Sequence, residues 1–303
     1  MRLVDSHAHL QADAFGADLA EVVAAARAAG VERILVPGWD AGSSAAALRL
    51  AAGTDWIDAA VGIHPHDAAG ATDDDWAAVV RLAADPRVVG IGETGLDYDR
   101  MHSPPEAQLA NLRRHLRLAL DTGKPAILHC RSAAGGRDAQ DALIAEMRAV
   151  GFGAAAARDV FGERPPAVLH SFSGPVDYAT AALDMGLAIA FGGLVFRRGE
   201  EASAEVARLV PRDRLLIETD APYLAPPGVP RNSAAAAPPA GTGTAAPASA
   251  MDITAGSRGR RNSPQWVHIT AEWLAERRGE TPDSIGEGLV PAYDATFRRR
   301  STV

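Results

Sequence analysis

Short apolar segments alternate along the chain with longer segments whose apolar residues recur at helical spacing. Eight short runs predict strands at residues 3–6, 33–36, 57–61, 88–91, 126–128, 167–169, 188–191 and 215–218. Longer Ala- and Leu-rich segments predict helices at residues 18–29, 43–52, 73–84, 105–122, 138–150, 176–185, 202–209 and 264–278. Repeated strand–helix units are typical of a parallel sheet in the α/β class. Eight units fit a (β/α)8 TIM barrel better than an open doubly wound sheet, the alternative that the pattern leaves open.

One long segment breaks this alternation. Residues 226–259 consist mostly of Ala, Pro, Gly, Ser and Thr, without periodicity and with few large apolar side chains. Such a segment cannot bury enough surface to offset the entropy lost on ordering. We therefore expect a disordered, flexible insertion between strand 8 and the last helix of a single barrel spanning residues 1–303. A surface insertion is favoured over a functional lid.

Composition and charge restrict the class of protein. A content of 47% hydrophobic and 22% charged residues is typical of a globular chain. The single cysteine, Cys130, gives no reason to invoke an oxidising compartment, and the sequence shows neither a signal peptide pattern nor a membrane-spanning segment. We therefore expect a cytoplasmic protein with no membrane association and no obligate protein partner. The net charge of −8 argues against non-specific coating of duplex DNA, but a local phosphate site containing bound cations remains possible.

Most of the nine histidines follow predicted strands, together with two carboxylates. His7 and His9 are two residues apart on an extended chain, so their side chains share a face. The carboxyl ends of barrel strands meet at one face, where the active sites of such enzymes lie. The sequence therefore predicts one cluster of metal ligands, which comprises His7, His9, Glu93, His129, His170 and Asp220.

Six ligands exceed the number that one zinc ion usually takes from protein, and a shared carboxylate can bridge two divalent ions about 3.5–4 Å apart. Imidazole and carboxylate ligands without thiolate suit Mg, Mn or Zn and do not distinguish among them. We therefore expect two divalent metal ions of unknown identity. A single histidine at a strand end is more commonly a hydrogen-bonded structural group, and that interpretation is favoured for His66 and His115.

Six blocks in order carry a resemblance to a known family: D-S-H-A-H-L from residue 5, G-I-H-P-H from 62, G-E-T-G-L-D-Y from 92, H-C-R from 129, H-S-F-S-G from 170 and E-T-D-A-P-Y-L from 218. The chain resembles the TatD family of metal-dependent deoxyribonucleases. The resemblance implies a (β/α)8 barrel of the amidohydrolase-like superfamily, in which His7, His9 and Asp220 hold one metal. It also implies that His129 and His170 hold the second metal, that Glu93 bridges the two, and that His64 and Arg131 face the substrate phosphate.

Two blocks depart from the family pattern. Residues 132–136 separate H-C-R from Arg137-Asp138-Ala139, so either Arg131 or Arg137 could reach the cavity, and Arg131 is favoured. The family pattern R-G-K-R-N-E-P is replaced by Arg258-Gly259-Arg260-Arg261-Asn262-Ser263-Pro264, which raises the question of what this block contacts.

The leading hypothesis is a two-metal phosphodiesterase that hydrolyses DNA. The family resemblance implies that it acts on single strands in the 3′ to 5′ direction. Asp220 would orient the attacking water and take its proton. One alternative is a metal-dependent hydrolase of a small amide, lactone or phosphoester. Such relatives often bridge their metals with a carboxylated lysine, but Lys124 is the only lysine and precedes strand 5. The second alternative is a non-catalytic barrel scaffold.

Overall fold

The computed structural model describes residues 1–230 and 260–297. Its eight strands are β1 Leu3–Asp5, β2 Val31–Pro37, β3 Ile57–Val61, β4 Val88–Asp97, β5 Ala126–Arg131, β6 Ala167–Leu169, β7 Ala188–Phe191 and β8 Leu215–Ile217. They form one parallel sheet in sequential order from β1 to β8. The Ser6 amide donates to the Ile217 carbonyl at 2.9 Å, and Ala8 bridges Ala221, so β8 lies beside β1. The predicted TIM barrel is confirmed, and the open sheet is wrong.

Helices connect successive strands: α1 Leu19–Ala28, α2 Ala41–Ala52, α3 Asp73–Ala83, α4 Pro105–Thr122, α5 Asp138–Val150, α6 Ala155–Phe161, α7 Val176–Asp184, α8 Ser203–Leu209, α9 Val267–Arg278 and α10 Pro282–Phe297. The sequence pattern missed α6 and α10. The predicted helix at 264–278 is instead a short 3-10 turn, Pro264–Trp266, followed by α9. Within the described residues, no helix is both long and apolar enough to cross a membrane.

The fourth and fifth strands are longer than the sequence pattern predicts. β4 continues to Asp97 rather than ending near residue 91, and β5 continues to Arg131. Parallel pairing extends along the added residues, with Gly95 opposite His129. The polar residues suggested strand ends, but hydrogen bonding to the neighbouring strand keeps the backbone extended. Glu93 and His129 therefore lie within strands, at the end of the barrel where the loops carry the other predicted ligands.

The segment predicted to be disordered, residues 226–259, falls mostly outside the described residues. Its first five residues, 226–230, are described, and Val229 is buried with 2% of its surface exposed. The buried side chain of Val229 anchors the start of the segment. The prediction for residues 231–259 lies outside the described part of the chain.

Candidate metal centre

The structure brings the six predicted ligands together at the carboxyl end of the barrel. His7 and His9 follow β1, Glu93 lies in β4 and His129 in β5, while His170 follows β6 and Asp220 follows β8. Three overlapping groups have ligand atoms within 4.8 Å of one another: His7, His9 and Glu93; His7, His170 and Asp220; and His64, Glu93 and His129. Together with His64, which follows β3, side chains from six separate parts of the sequence thus converge on one cluster.

Glu93 occupies the middle of this cluster, and its two oxygens face different histidines. Oε2 lies 3.2 Å from His7 Nε2 and 3.7 Å from His9 Nε2. Oε1 lies 3.0 Å from His129 Nδ1 and 3.0 Å from His170 Nε2. A carboxylate that bridges two cations needs this division, because each oxygen serves one ion. The geometry therefore fits the bridging role that the family resemblance implies for Glu93.

Asp220 lies on the His7 and His9 side of the cluster. Its Oδ1 is 3.5 Å from His9 Nε2 and 3.9 Å from His7 Nε2. The two Nε2 atoms of His7 and His9 are only 3.2 Å apart, and Glu93 Oε2 is buried without a hydrogen-bond partner. Buried acceptors need a partner, and a cation shared among these atoms would supply it. The donor set therefore fits divalent cations held by nitrogen and oxygen ligands.

The charges of the cluster are coupled. Burial lowers the pKa of His7, and the neighbouring His170 lowers it further, so the His7 imidazole is neutral and can act as a ligand. Burial alone would raise the pKa of Glu93, but His170, His64 and His7 hold it well below its usual value. Although burial opposes protonation, hydrogen bonds with Asp97 and Glu93 raise the pKa of His129 to about 9. Cation binding must therefore displace protons from this part of the cluster.

Two further carboxylates orient the histidines, and the sequence analysis did not identify them. Glu218 Oε1 lies 3.1 Å from His170 Nδ1 and accepts a hydrogen bond from the Ser171 amide. Asp97 Oδ2 lies 3.3 Å from His129 Nε2 and 2.8 Å from His66 Nε2. Carboxylates behind ligating histidines fix the ring and its tautomer. Both residues belong to the motifs quoted above, G-E-T-G-L-D-Y and E-T-D-A-P-Y-L, which was the available signal.

The loop that carries Asp220 is anchored from two sides. Asp5 is fully buried and accepts hydrogen bonds from the Thr219 amide at 2.9 Å and from the Thr219 hydroxyl at 2.6 Å. Burial raises the pKa of Asp5 to about 8. Asn262 Nδ2 donates to the Thr219 carbonyl at 2.8 Å, and Arg261 pairs with Asp18. The divergent block at 258–264 thus contacts the loop through its described residues and helps to hold Asp220 in place.

His64 and Arg131 lie at different depths. His64 is buried, its Nδ1 accepts a hydrogen bond from the His66 amide at 3.1 Å, and its Nε2 is 3.3 Å from Glu93 Oε1. Burial lowers the pKa of His64 to about 3. Arg131 is 42% exposed, and its Nε lies 2.9 Å from Asp99 Oδ2. Both residues line the cavity above the ligands.

The histidines expected to be structural divide into two cases. His115 is buried on α4, where it accepts a hydrogen bond from the Ile63 amide at 3.0 Å, and burial lowers its pKa to about 3. Its structural interpretation is confirmed. His66 also makes a structural hydrogen bond, to Asp97, but it lines the cavity beside the cluster. The sequence interpretation of His66 was therefore incomplete, because sequence alone does not show which side chains line the cavity.

The cavity above the ligands has a volume of about 780 Å³. It extends from the cluster past the ends of β5, β6 and β7. The family model for TatD related DNase matches residues 4–298. The chain belongs to this family.

Individual relatives agree with this assignment. A protein of Bacillus subtilis strain 168, named an uncharacterized metal-dependent hydrolase, is 33% identical over 98% of this chain and 99% of its own length. The 3′-5′ ssDNA/RNA exonuclease TatD of Klebsiella pneumoniae strain 342 is 37% identical over 92% of this chain and 91% of its own. Among solved structures, YJJV, a TatD homologue from Escherichia coli K12, has a TM-score of 0.77 at 25% identity, and the match covers 98% of each chain.

Proposed function

We propose that this protein is a metal-dependent nuclease that hydrolyses phosphodiester bonds of single-stranded DNA from the 3′ end with two divalent cations. The observation that carries the proposal is the arrangement around Glu93, whose two oxygens face two separate groups of buried ligands. The exonuclease name of the Klebsiella pneumoniae relative supports the substrate and direction. The arginines that line the cavity support an anionic substrate.

Each residue has a defined part in this proposal. His7, His9 and Asp220 would hold one cation, His129 and His170 the other, and Glu93 would contact both. Divalent cations at such a site lower the pKa of a bound water and neutralise charge on the phosphate. Asp220 would accept the proton of the attacking water, because its carboxylate lies beside the cluster and also lines the cavity, with 13% of its side-chain surface exposed.

The remaining groups position this machinery. Burial would favour the neutral acid at Asp220, but His9 and His7 keep its pKa below its usual value, so Asp220 is ionised. His64 Nε2 lies 3.3 Å from Glu93 Oε1, and this contact limits the movement of the Glu93 carboxylate. Arg131 lines the cavity outside the ligands and faces the substrate strand.

The first experiment is digestion of a 5′-labelled single-stranded oligonucleotide by metal-stripped protein, with and without added Mg²⁺ or Mn²⁺. We expect a metal-dependent ladder of 5′-labelled fragments shortened from the 3′ end, and loss of that ladder in His129→Ala. The matched control is His268→Ala on α9, where the ring Nδ1 lies 2.9 Å from the Gln265 carbonyl. Near-normal turnover by Asp220→Asn with both cations bound would contradict the role assigned to Asp220.

A small-molecule hydrolase of an amide, lactone or phosphoester remains the second candidate. Enzymes of that kind often bridge their metals with a lysine, and the single lysine of this chain is Lys124. Its Nζ donates to the carbonyls of Ala83 at 2.6 Å and of Asp85 at 2.9 Å, so it does not take the bridging position that Glu93 occupies. This candidate would be favoured if the protein cleaved no oligonucleotide with any added metal but hydrolysed members of a panel of esters and lactones. Purified protein that takes up no stoichiometric metal would instead favour the scaffold.

A further inference from the structure

The cavity wall beyond the metal ligands is basic, although the chain as a whole carries a net charge of −8. Apart from the three carboxylates of the centre, Glu93, Asp97 and Asp220, the acids that line this wall within residues 1–230 and 260–297 are Asp99 and Glu200. The same wall contains five arginines, which are Arg100, Arg131, Arg137, Arg197 and Arg198. A concave surface with an excess of one charge concentrates ligands of the opposite charge.

Arg131 extends from the strand that carries a ligand. It lies two residues after His129 on β5, and both side chains therefore point to the same side of the strand. Two residues of extended strand advance the chain by about 6.6 Å, so the Arg131 side chain leaves the backbone that much farther along β5 than the His129 side chain does. Its guanidinium has five donors, and the Nε contact to Asp99 leaves others for a further anion.

Arg197 lines the same cavity from the segment after β7. A 3-10 turn at Gly193–Phe196 places Arg197 directly at its end. A Cβ on Gly193 would lie 1.9 Å from the Leu224 carbonyl oxygen, so this segment packs tightly on the loop that carries Asp220. The position of Arg197 is thereby tied to the position of the metal centre.

The positive charge of Arg131 acts on the guanidinium of Arg197. Burial lowers the pKa of Arg197, and the positive charge of Arg131 lowers it further. Such repulsion favours an anion that both groups can share, because a phosphate accepts hydrogen bonds from several guanidinium donors at once. Arg137 also lines the cavity, and two carboxylates, Asp141 and Asp177, each lie 2.9 Å from its guanidinium.

We propose that Arg131 and Arg197 form a clamp for a second phosphate of the substrate, the one next to the phosphate that is hydrolysed. This inference rests on the proposed nuclease function and adds a requirement for at least two consecutive phosphates. The offset of Arg131 along β5 is what separates the clamp from the scissile position. Leu194 and Tyr223 line the adjoining wall and supply apolar surface for the sugar and base between the two phosphates.

The binding test uses metal-free protein and a fluorescein-labelled oligothymidylate at low ionic strength, followed by anisotropy. We expect Arg197→Met to weaken binding by at least tenfold, and the slope of log Kd against log salt to fall by about 0.7, the value for one single-strand phosphate contact. Arg137→Met is the matched control, since it removes the same charge from the same cavity wall. Equal losses in both variants would overturn the clamp in favour of diffuse attraction, and so would an absence of binding by the wild-type protein.

The activity test separates this inference from the proposed function. Wild-type and variant proteins are compared on the oligothymidylate and on bis(p-nitrophenyl) phosphate, which has a single phosphate. We expect the loss of kcat/KM in Arg197→Met to be at least tenfold larger on the oligonucleotide than on the small diester. Equal losses on both substrates would overturn the clamp while leaving the nuclease intact. Failure of the wild-type protein to hydrolyse either substrate would contradict the proposed function itself.

A double-mutant cycle tests whether one phosphate contacts both arginines. If Arg131 and Arg197 share one anion, removing either weakens the contact made by the other, so the losses in the double variant are not additive. We expect the double variant Arg131→Met/Arg197→Met to bind no more than about threefold more weakly than the worse single variant. Multiplicative losses would show two independent sites and overturn the shared clamp.

Discussion

Individual carboxylates make the two halves of the metal centre different. His129 has Asp97 behind it and His170 has Glu218, whereas the Nδ1 atoms of His7 and His9 are buried without a hydrogen-bond partner. A carboxylate behind a ligating imidazole raises its basicity and fixes its orientation. Within the proposed two-metal site, we therefore expect the position between His129 and His170 to bind its cation more tightly than the position between His7 and His9.

The first residue-level prediction concerns Glu218, which is fully buried behind His170. Glu218→Gln keeps the size of the side chain but removes the charge that orients the ring, so one step of a Mn²⁺ titration should weaken by about 10- to 100-fold. Isothermal titration calorimetry measures both steps. Glu205→Gln on the exposed face of α8 is the control. Two unchanged binding steps in Glu218→Gln would contradict the orienting role.

A second residue-level prediction concerns His115, whose pKa burial lowers to about 3 in the folded protein. In the unfolded chain its pKa is about 6.5, so between these values the unfolded state binds the extra proton. Stability from the neutral ring is therefore complete above pH 6.5 and is lost as the pH falls toward 3. Between about pH 7.5 and about pH 5.5, wild-type protein should lose about 1.4 kcal/mol of unfolding free energy more than His115→Gln does. Urea denaturation measures this difference, and parallel pH dependences would contradict it.

At the scale of elements, local patterns predicted the strands and most helices because each is a short apolar run or an amphipathic segment. They failed where an element depends on its neighbours. β4 runs past Glu93 because its backbone pairs with β5, and the side chain of Glu93 gives no sign of this. α10 was missed because it contains Gly286, Gly288 and Pro291, which usually interrupt helices. Packing at Gly286, where a Cβ would lie 2.9 Å from the Arg2 carbonyl oxygen, shows how tertiary contacts stabilise the helix.

The candidate site, like the fold, could be predicted only in part. The ligands could be predicted from their positions at strand ends, because barrel topology brings those ends together. Asp97 and Glu218 could not be assigned, since their roles depend on which ring nitrogen of His129 or His170 faces the cluster. The proposed clamp of Arg131 and Arg197 combines the end of β5 with the segment after β7, which are distant in the sequence. The spacing of Arg131 and Arg197 along the sequence does not show that they line the same cavity.

The element-level prediction concerns the close approach of β3 and β4. A Cβ on Gly62, just after β3, would lie 2.5 Å from Gly92 Cα, and Gly92 directly precedes Glu93. Gly62→Ala must push the two backbones apart, so we expect a loss of about 1–3 kcal/mol of unfolding free energy and weaker Mn²⁺ binding. Gly53→Ala is the control, because its nearest neighbour, the Leu50 carbonyl oxygen, is 3.6 Å away. Equal stabilities of the two variants in urea would show that the strands accommodate the methyl group.

At the scale of the whole molecule, two electrostatic effects oppose each other. The net charge of −8 repels a polynucleotide at long range, and added salt screens that repulsion. The arginines of the cavity act at short range, where binding a phosphate releases counterions and salt weakens the complex. The sign of the salt effect on KM therefore shows which of the two governs substrate binding.

The local effect should dominate, because the proposed clamp contacts the substrate directly whereas the surface charges act from beyond a Debye length of about 10 Å. With two phosphates bound, one at the metal centre and one at Arg131 and Arg197, a slope of about 0.7 per phosphate gives a rise in KM of about sevenfold for a fourfold increase in NaCl. Steady-state kinetics on the oligothymidylate measures this slope. Bis(p-nitrophenyl) phosphate should give a much smaller slope, since a single small diester has no condensed counterions to release. A KM that falls as NaCl rises would mean that the net charge governs binding, and the basic cavity wall would then have no measurable part in holding the strand.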